Sequence, residues 1–166
     1  VGFGSIGGTG HVIAFLLAKK AGVEFNYLAH KSGSEATIGL LAGRLQLVTE
    51  NPSEIIQHVK TGKAKFVGYP AEKRHPDMPD VPTLRELGYD VVFGSARGAV
   101  VFKPSEEVRA YWAGVFKKVF ETQRFQSFMK ENMMGPNFRE GAEAVAFMED
   151  KFKLIKSISD EMGLSK

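Results

Sequence analysis

Residues 1–11 read Val1-Gly-Phe-Gly-Ser-Ile-Gly-Gly-Thr-Gly-His11, and they lead directly into an apolar stretch that continues to Lys20. The five glycines of this segment alternate with residues such as Ser5 and Thr9, so its backbone can approach a ligand closely. Apolar side chains at three- and four-residue spacing predict a helix over residues 11–20. A glycine loop that opens a helix presents free N–H groups and the positive end of the helix dipole, which favours an anion. Because the loop has no lysine, backbone amides and hydroxyl groups would hold that anion.

Three of these glycines also match the spacing of the dinucleotide-binding fingerprint. That motif requires a strand before the loop and an acidic residue at the end of the next strand, about 20 residues further on. Only Val1 precedes the loop, and His30 and Lys31 stand where the carboxylate is expected. No Gly-Lys-Ser/Thr sequence closes a P-loop. These departures count against a nucleotide- or dinucleotide-dependent α/β enzyme, which is one alternative to anion binding. A loop that only permits tight strand–helix packing is a second alternative.

The composition is that of an ordinary globular protein, with 43% hydrophobic and 25% charged residues among 166 and a net charge of +3. Basic residues are spread along the chain without interleaved aromatic residues, so nucleic acid is not an expected partner. No apolar run is long enough to cross a bilayer, so we expect a chain that is not membrane-embedded. The absence of cysteine, of metal-ligand histidine spacing and of a nucleophile motif predicts no cofactor, no metal and no catalytic residues.

Helix and strand patterns alternate through the first half of the chain, which predicts an α/β fold with a mainly parallel sheet flanked by helices. Strands are predicted at 25–29, 45–49 and 64–69, and helices are predicted after the caps Ser32 and Asn51. A capping box at Thr83 and Glu86 predicts a short helix. A long strand over 91–102 and helices at 105–134, with a break at 122–126, and from Gly141 complete the prediction.

Loops at the carboxyl ends of parallel strands form the ligand crevice of an open α/β sheet. The three such loops are 4–10, 30–34 and 49–53, and each leads into a helix N-terminus, which suits a multiply charged small acid. Helix capping is the competing role for the serines, and a solvated loop carboxylate is the expected role of Glu50. The candidate ligand-binding residues are Ser5, Gly7, Gly8, Thr9, His11, Ser32, Gly33, Asn51 and Ser53.

Several segments, taken in order, resemble the extracytoplasmic substrate-binding receptors of tripartite tricarboxylate transporters. They include the opening glycine loop with His11, Lys31-Ser-Gly-Ser-Glu-Ala36 and Ser95-Ala-Arg-Gly98. The most specific is Pro79-Asp-Val-Pro-Thr-Leu-Arg-Glu-Leu-Gly88. The resemblance covers essentially all 166 residues.

This resemblance implies a two-lobed, type II periplasmic-binding-protein-like fold. Residues 1–92 would form the second lobe, and residues 93–166 a crossing strand and C-terminal helices that return to a truncated first lobe. Arg97, on the crossing strand, would pair with a ligand carboxylate or, equally, with a local acid.

The resemblance also implies a function. The protein would be a periplasmic or extracytoplasmic receptor that closes on a tricarboxylate, a dicarboxylate or a similar organic acid and delivers it to the membrane permease subunits of the transporter. The signal peptide would lie outside this chain. A sensor or interaction protein that keeps the receptor fold is a further alternative.

Overall fold

The computed structural model of the chain describes residues 1–135 and 137–164. It divides into two units, Val1–Ser95 and Ala96–Lys166. The assigned elements are β1 (Gly2–Phe3), α1 (Thr9–Ala21), β2 (Leu28–Ala29), α2 (Gly33–Leu41), α3 (Pro52–Lys60), α4 (Glu106–Glu121), α5 (Gln123–Glu131) and α6 (Gly141–Glu161).

The sheet of the first unit is small and parallel. β1 pairs with β2, placing Gly2 opposite Leu28, and on its other side Gly2 forms a parallel bridge to Val48. Pairing ends at Gly4, where the chain turns into the glycine loop. The predicted parallel direction is confirmed, but the sheet assigned among the described residues has two strands and is smaller than predicted, and helices are the main element.

Three of the predicted strands are not assigned as strands, and the one at 25–29 is shortened to Leu28–Ala29. Over 45–49 the assigned pairing is the bridge of Val48 to Gly2. Over 64–69 the only pairing assigned among the described residues is a bridge between Tyr69 and Thr83, and over 91–102 no strand is assigned. Val100 and Phe102 are 91% and 85% exposed. Alternating apolar residues make a strand only where a neighbouring strand supplies a ladder of hydrogen bonds. The Phe93 amide donates to the Pro70 carbonyl oxygen (3.0 Å), but no ladder is assigned over 91–102 among the described residues.

The helices follow their predicted caps closely. The Ser32 hydroxyl accepts a hydrogen bond from the Glu35 amide (3.2 Å) at the start of α2, and Asn51 caps α3. Thr122 ends α4 and caps α5, accepting a hydrogen bond from the Phe125 amide (3.3 Å). The predicted break at 122–126 is therefore confirmed, because the side chain that starts one helix interrupts the other.

The predicted capping box at Thr83 also forms. The Glu86 amide donates to the Thr83 hydroxyl (3.1 Å), and the Thr83 amide donates to the Glu86 carboxylate (2.7 Å). The segment nevertheless stays a turn, ending at Gly88 with a φ of 90°. Arg74 pairs with Glu86 at 2.9 Å, and this guanidinium lowers the pKa of the Glu86 carboxyl to about 2.

The core of the first unit is centred on β1 and α1, where Phe3, Val12 and Ala14 are almost fully buried. In the second unit Met129 and Ile158 are buried, whereas many apolar side chains of α4 and α6 are exposed. Among them is the single tryptophan, Trp112, which is 43% exposed and has ring contacts with neighbouring aromatic residues on α4. None of the described helices is long and apolar enough to cross a membrane.

Candidate functional site

Hydrogen bonds on both sides of β1 bring the three predicted loops together. The His30 amide donates to the Phe3 carbonyl oxygen (2.9 Å), and the Thr49 amide donates to the Gly2 carbonyl oxygen (3.1 Å). Thr49 also donates through its hydroxyl to the carbonyl oxygen of Gly10 (2.8 Å). The loops that begin at Gly4, His30 and Thr49 therefore leave the sheet side by side.

Glycines allow these loops to touch. A Cβ atom on Gly4 would lie 2.9 Å from the amide nitrogen of Gly33, at the start of α2. A Cβ on Gly33 would in turn overlap the carboxylates of Glu50 and Glu54. Side chains at these two positions would push the loops apart, so the contact between loops depends on glycine.

The start of α1 uses some of its donors internally. The Gly8 amide donates to the Ser5 carbonyl oxygen (3.1 Å), and the Gly7 amide donates to Nδ1 of His11 (3.1 Å). The predicted set of free amides around Gly7 and Gly8 is therefore reduced in this structure. Ser5 is exposed and Thr9 half-exposed, so both remain accessible to a ligand.

His11 is held by aromatic neighbours. Its ring stacks on Phe3 with 4.4 Å between ring centroids and meets Tyr27 edge-on at 5.3 Å. Burial lowers the pKa of His11, which favours the neutral ring. Because Nδ1 accepts the Gly7 amide, the neutral ring carries its proton on Nε2 and can offer that atom as a donor.

The starts of α2 and α3 show which residues cap and which remain accessible. Ser32 caps α2 through its hydroxyl, so the structure shows it in the helix-capping role that competes with ligand binding. Gly33 is buried as the first helical residue. At α3 the backbone amide and the Nδ2 of Asn51 both donate to Oε2 of Glu54 at 3.3 Å. Ser53 lies inside the first turn of α3, so it is not the cap.

Glu50 does not have the solvated position that the sequence predicts. Its carboxyl is half-buried between loops, it accepts a hydrogen bond from the Gly4 amide, and its Oε1 is buried with no hydrogen-bond partner among the described residues. Burial, together with a hydrogen bond and charge repulsion from Glu54, raises the pKa of Glu50 to about 8, although the bond from the Gly4 amide acts in the opposite direction. The expectation of a solvated loop carboxylate is wrong, because Gly33 lets α2 cover this side chain. The four-residue spacing of Glu50 and Glu54 is the signal that could have found the pair.

This raised pKa predicts a pH dependence of stability. Between the usual value of 4.5 and about 8 the folded protein keeps a proton on Glu50 that the unfolded chain releases, so stability is full at low pH and falls as the pH rises. One pKa unit corresponds to about 1.4 kcal/mol, and after discounting for solvent screening of a half-exposed group we expect a loss of about 1–2 kcal/mol. Urea unfolding followed at about pH 5 and about pH 8 measures this loss. Glu50→Gln should flatten the profile, and a variant profile parallel to that of the parent would contradict the assignment.

The tenth predicted residue, Arg97, lies in the other unit, Ala96–Lys166, where it is exposed on a segment without helix or strand. Its pairing with a ligand carboxylate therefore stays a prediction. The same holds for the ligand contacts of the nine residues in the first unit.

Two surface hollows lie elsewhere in the first unit. One, of about 390 Å³, runs along α1 and is lined by Phe15, Phe25 and Tyr27, among others. The other, of about 460 Å³, lies among the charged side chains around Arg74 and Glu86. Neither is lined by a predicted ligand-binding residue. Within the described ranges, no group of three or more acidic or histidine side chains could hold a metal ion.

Comparison with known proteins places the chain in a family. A model of the family described as "Tripartite tricarboxylate transporter family receptor" matches residues 1–164. Among curated proteins, the "UPF0065 protein in gbd 5'region" of Cupriavidus necator is 30% identical over 157 residues. That match covers 94% of this chain and 48% of the relative, so the chain spans about half of its length.

Solved structures agree with this match. A TctC solute-binding protein from Polaromonas, solved without ligand, has 27% identity and a TM-score of 0.80, covering 96% of this chain and 56% of its own. The adipate-bound Rpa4515 of R. palustris has 18% identity and a TM-score of 0.78, covering 98% and 55%. The malate-bound MatC of Rhodopseudomonas palustris has 16% identity and a TM-score of 0.71, covering 95% and 55%. At such low identity the last two structures show the fold alone. The chain corresponds to a part of the periplasmic-binding-protein fold.

The family is one of solute-binding receptors and not of enzymes, which is the class predicted from the opening loop and the segment 79–88. The chain therefore belongs to the tripartite tricarboxylate transporter receptor family.

Proposed function

We propose that this chain forms part of an extracytoplasmic, periplasmic receptor that captures a small organic dicarboxylate or tricarboxylate. The observation that carries the proposal is the family match over residues 1–164. Two proteins of the same fold hold adipate and malate, both dicarboxylates, which supports an acid of this class as the ligand.

The local structure supports the same class of ligand. α1, α2 and α3 begin at Thr9, Gly33 and Pro52, directly after the three loops that leave one edge of the sheet. Each helix start carries partial positive charge and backbone donors, so together they favour an anion without a cationic side chain. The Thr9 hydroxyl and Nε2 of His11 are the donors that we assign to a ligand carboxylate at α1.

The wider arrangement belongs to the proposal as well. In it, residues 1–92 form the second lobe of a two-lobed, type II receptor, and residues 93–166 return to the first. Hinge closure of the lobes would bury the acid, and Arg97 would meet it from the second segment. Membrane permease subunits would then recognise the closed form.

Calorimetry with the full-length protein tests the proposal. Adipate, malate and citrate are titrated beside the neutral diamide of adipic acid, and at least one acid should bind with a dissociation constant of about 1 μM or below, whereas the diamide should not bind. Thr9→Val removes the hydroxyl and should weaken binding about tenfold, roughly the effect of one lost hydrogen bond. Thr61→Val is the matched control, because the Thr61 hydroxyl bonds only backbone oxygens at the far end of α3. Heat from none of the acids would overturn the proposal.

A further inference from the structure

We propose that Glu50 and Glu54 share one proton where the starts of α1, α2 and α3 meet, and that an organic anion binds there only while this proton is present. The inference rests on the proposed function and adds to it a chemical condition on binding. It makes the pair a positioning and specificity element, since neither carboxyl is assigned a direct bond to the ligand.

The geometry places both carboxylates against the same backbone. Glu50 Cδ and Glu54 Oε2 each lie 2.5 Å from where a Cβ atom of Gly33 would stand. Gly33 is the first residue of α2, so two acidic side chains lie at the helix start that is expected to favour an anion. An incoming carboxylate would meet two negative charges there if both side chains were ionised.

The Glu50 carboxyl has fewer hydrogen-bond donors than the Glu54 carboxyl. Glu54 Oε2 accepts from the amide and the Nδ2 of Asn51. Glu50 accepts from the Gly4 amide, while its Oε1 is buried without a partner. Among the described residues neither carboxylate is in an ion pair with a lysine, arginine or histidine. A buried carboxylate with one backbone donor is poorly stabilised, and a proton held between the two carboxyls gives it a further hydrogen bond.

The surrounding charged groups do not form an ion pair that could take the place of this proton. The charged and titratable groups at the starts of the neighbouring helices and in the loops before them are His11 at α1, His30, Lys31 and Glu35 at α2, and Glu54 on α3. Nδ1 of His30 lies 3.0 Å from the carbonyl oxygen of Leu28. Glu35 accepts the Lys31 backbone amide at 2.8 Å instead of meeting Glu50. Burial and Glu54 together raise the pKa of Glu50 to about 8, which agrees with a proton held at neutral pH.

Binding should therefore be linked to the proton. Below about pH 8 the pair carries one negative charge and the site accepts an anion, whereas above it the second charge appears and repels the ligand. The dissociation constant of wild-type protein should rise about tenfold per pH unit above that value, because only the protonated form binds. Adipate and malate are both fully ionised throughout this range, so their own protonation does not contribute.

A titration without ligand tests the proton itself. In protein labelled with ¹³C at the glutamate carboxyls, one resonance should titrate near pH 8, and it should be missing in Glu50→Gln. If every glutamate titrates below about pH 6, as ordinary carboxyls do, the shared proton is refuted.

Calorimetry then tests the link to binding, with adipate and malate as probes at about pH 6.5 and about pH 9. From the lower to the higher pH, the affinity of wild-type protein should fall about tenfold. At the higher pH each bound acid should bring close to one proton with it, which titrations in two buffers of different ionisation enthalpy measure. Glu50→Gln should bind equally at both pH values. The matched control, Glu24→Gln, removes the same charge from an exposed residue and should behave as wild type.

The outcomes separate the two proposals. Binding by wild-type protein that is equal at both pH values overturns the shared-proton inference and leaves the proposed function standing. No heat from any acid overturns the proposed function and the link to binding, while the carboxyl titration still decides whether Glu50 and Glu54 hold a proton.

Discussion

Phe3→Ala is expected to lower the free energy of unfolding by about 3–5 kcal/mol, the usual cost of removing a fully buried aromatic side chain. Phe3 is only 1% exposed, and its ring stacks on His11 at 4.4 Å. Its backbone oxygen also accepts the hydrogen bond from His30 that fixes the second loop. The ring therefore stabilises the sheet and the start of α1 at once, and its loss leaves a cavity between them.

Two controls separate the cavity from other causes. Phe3→Leu keeps most of the volume and should cost about 1.5 kcal/mol or less. Phe152→Ala removes the same ring from a side chain that is 69% exposed and should change stability by about 0.5 kcal/mol at most. The midpoint of urea unfolding, followed by far-ultraviolet circular dichroism, gives all three values. Equal losses for Phe3→Ala and Phe152→Ala would show that Phe3 does not anchor the unit.

Gly10→Ala is expected to be destabilising by about 1–3 kcal/mol, even though alanine is the better helix former. The added Cβ would overlap the carbonyl oxygen of Thr49 and lie 3.1 Å from the Cβ of Phe3. It would therefore force apart the first turn of α1 and the third loop, and with them the hydrogen bond from the Thr49 hydroxyl to the Gly10 oxygen. The same urea titration measures the loss.

Gly114→Ala is the matched substitution in open space. A Cβ on Gly114 meets nothing within 4 Å, and the residue lies inside α4. We expect stability to rise by about 0.5–1 kcal/mol, because only the helix propensity changes. A gain at Gly10 comparable to that at Gly114 would mean that the close approach of α1 to Thr49 is not required.

The features that sequence reasoning predicts well are decided within three or four residues. The Ser32 cap and the helix break at Thr122 each depend on one side chain and a nearby amide. The capping box of Thr83 and Glu86 depends on two such pairs. Such bonds form irrespective of what the rest of the chain does, so local spacing suffices to find them. The extent of the sheet is different, because residues 91–102 alternate as a strand does, yet no strand pairing is assigned to them among the described residues.

The candidate site was predictable in outline and not in its electrostatics. The convergence of three loops follows from the rule that parallel strands end at one edge, and hydrogen bonds of β1 to His30 and Thr49 produce it. The burial of Glu50 depends on Gly33, seventeen residues away, and on the Gly4 amide at a still greater separation. The spacing of Glu50 and Glu54 marks them as a pair, but no local pattern contains the contacts that bury Glu50.

The position of Trp112 determines what intrinsic fluorescence can report. It is the sole indole of the chain and belongs to the unit Ala96–Lys166, whereas the three loops belong to Val1–Ser95. Emission excited at the red edge of its absorption will therefore follow the environment of α4. Three of the four tyrosines belong to Val1–Ser95, among them Tyr27 beside His11, so tyrosine emission reports mainly on that unit. Recording tryptophan and tyrosine emission during one thermal unfolding experiment would show whether the two units lose their structure together or in succession.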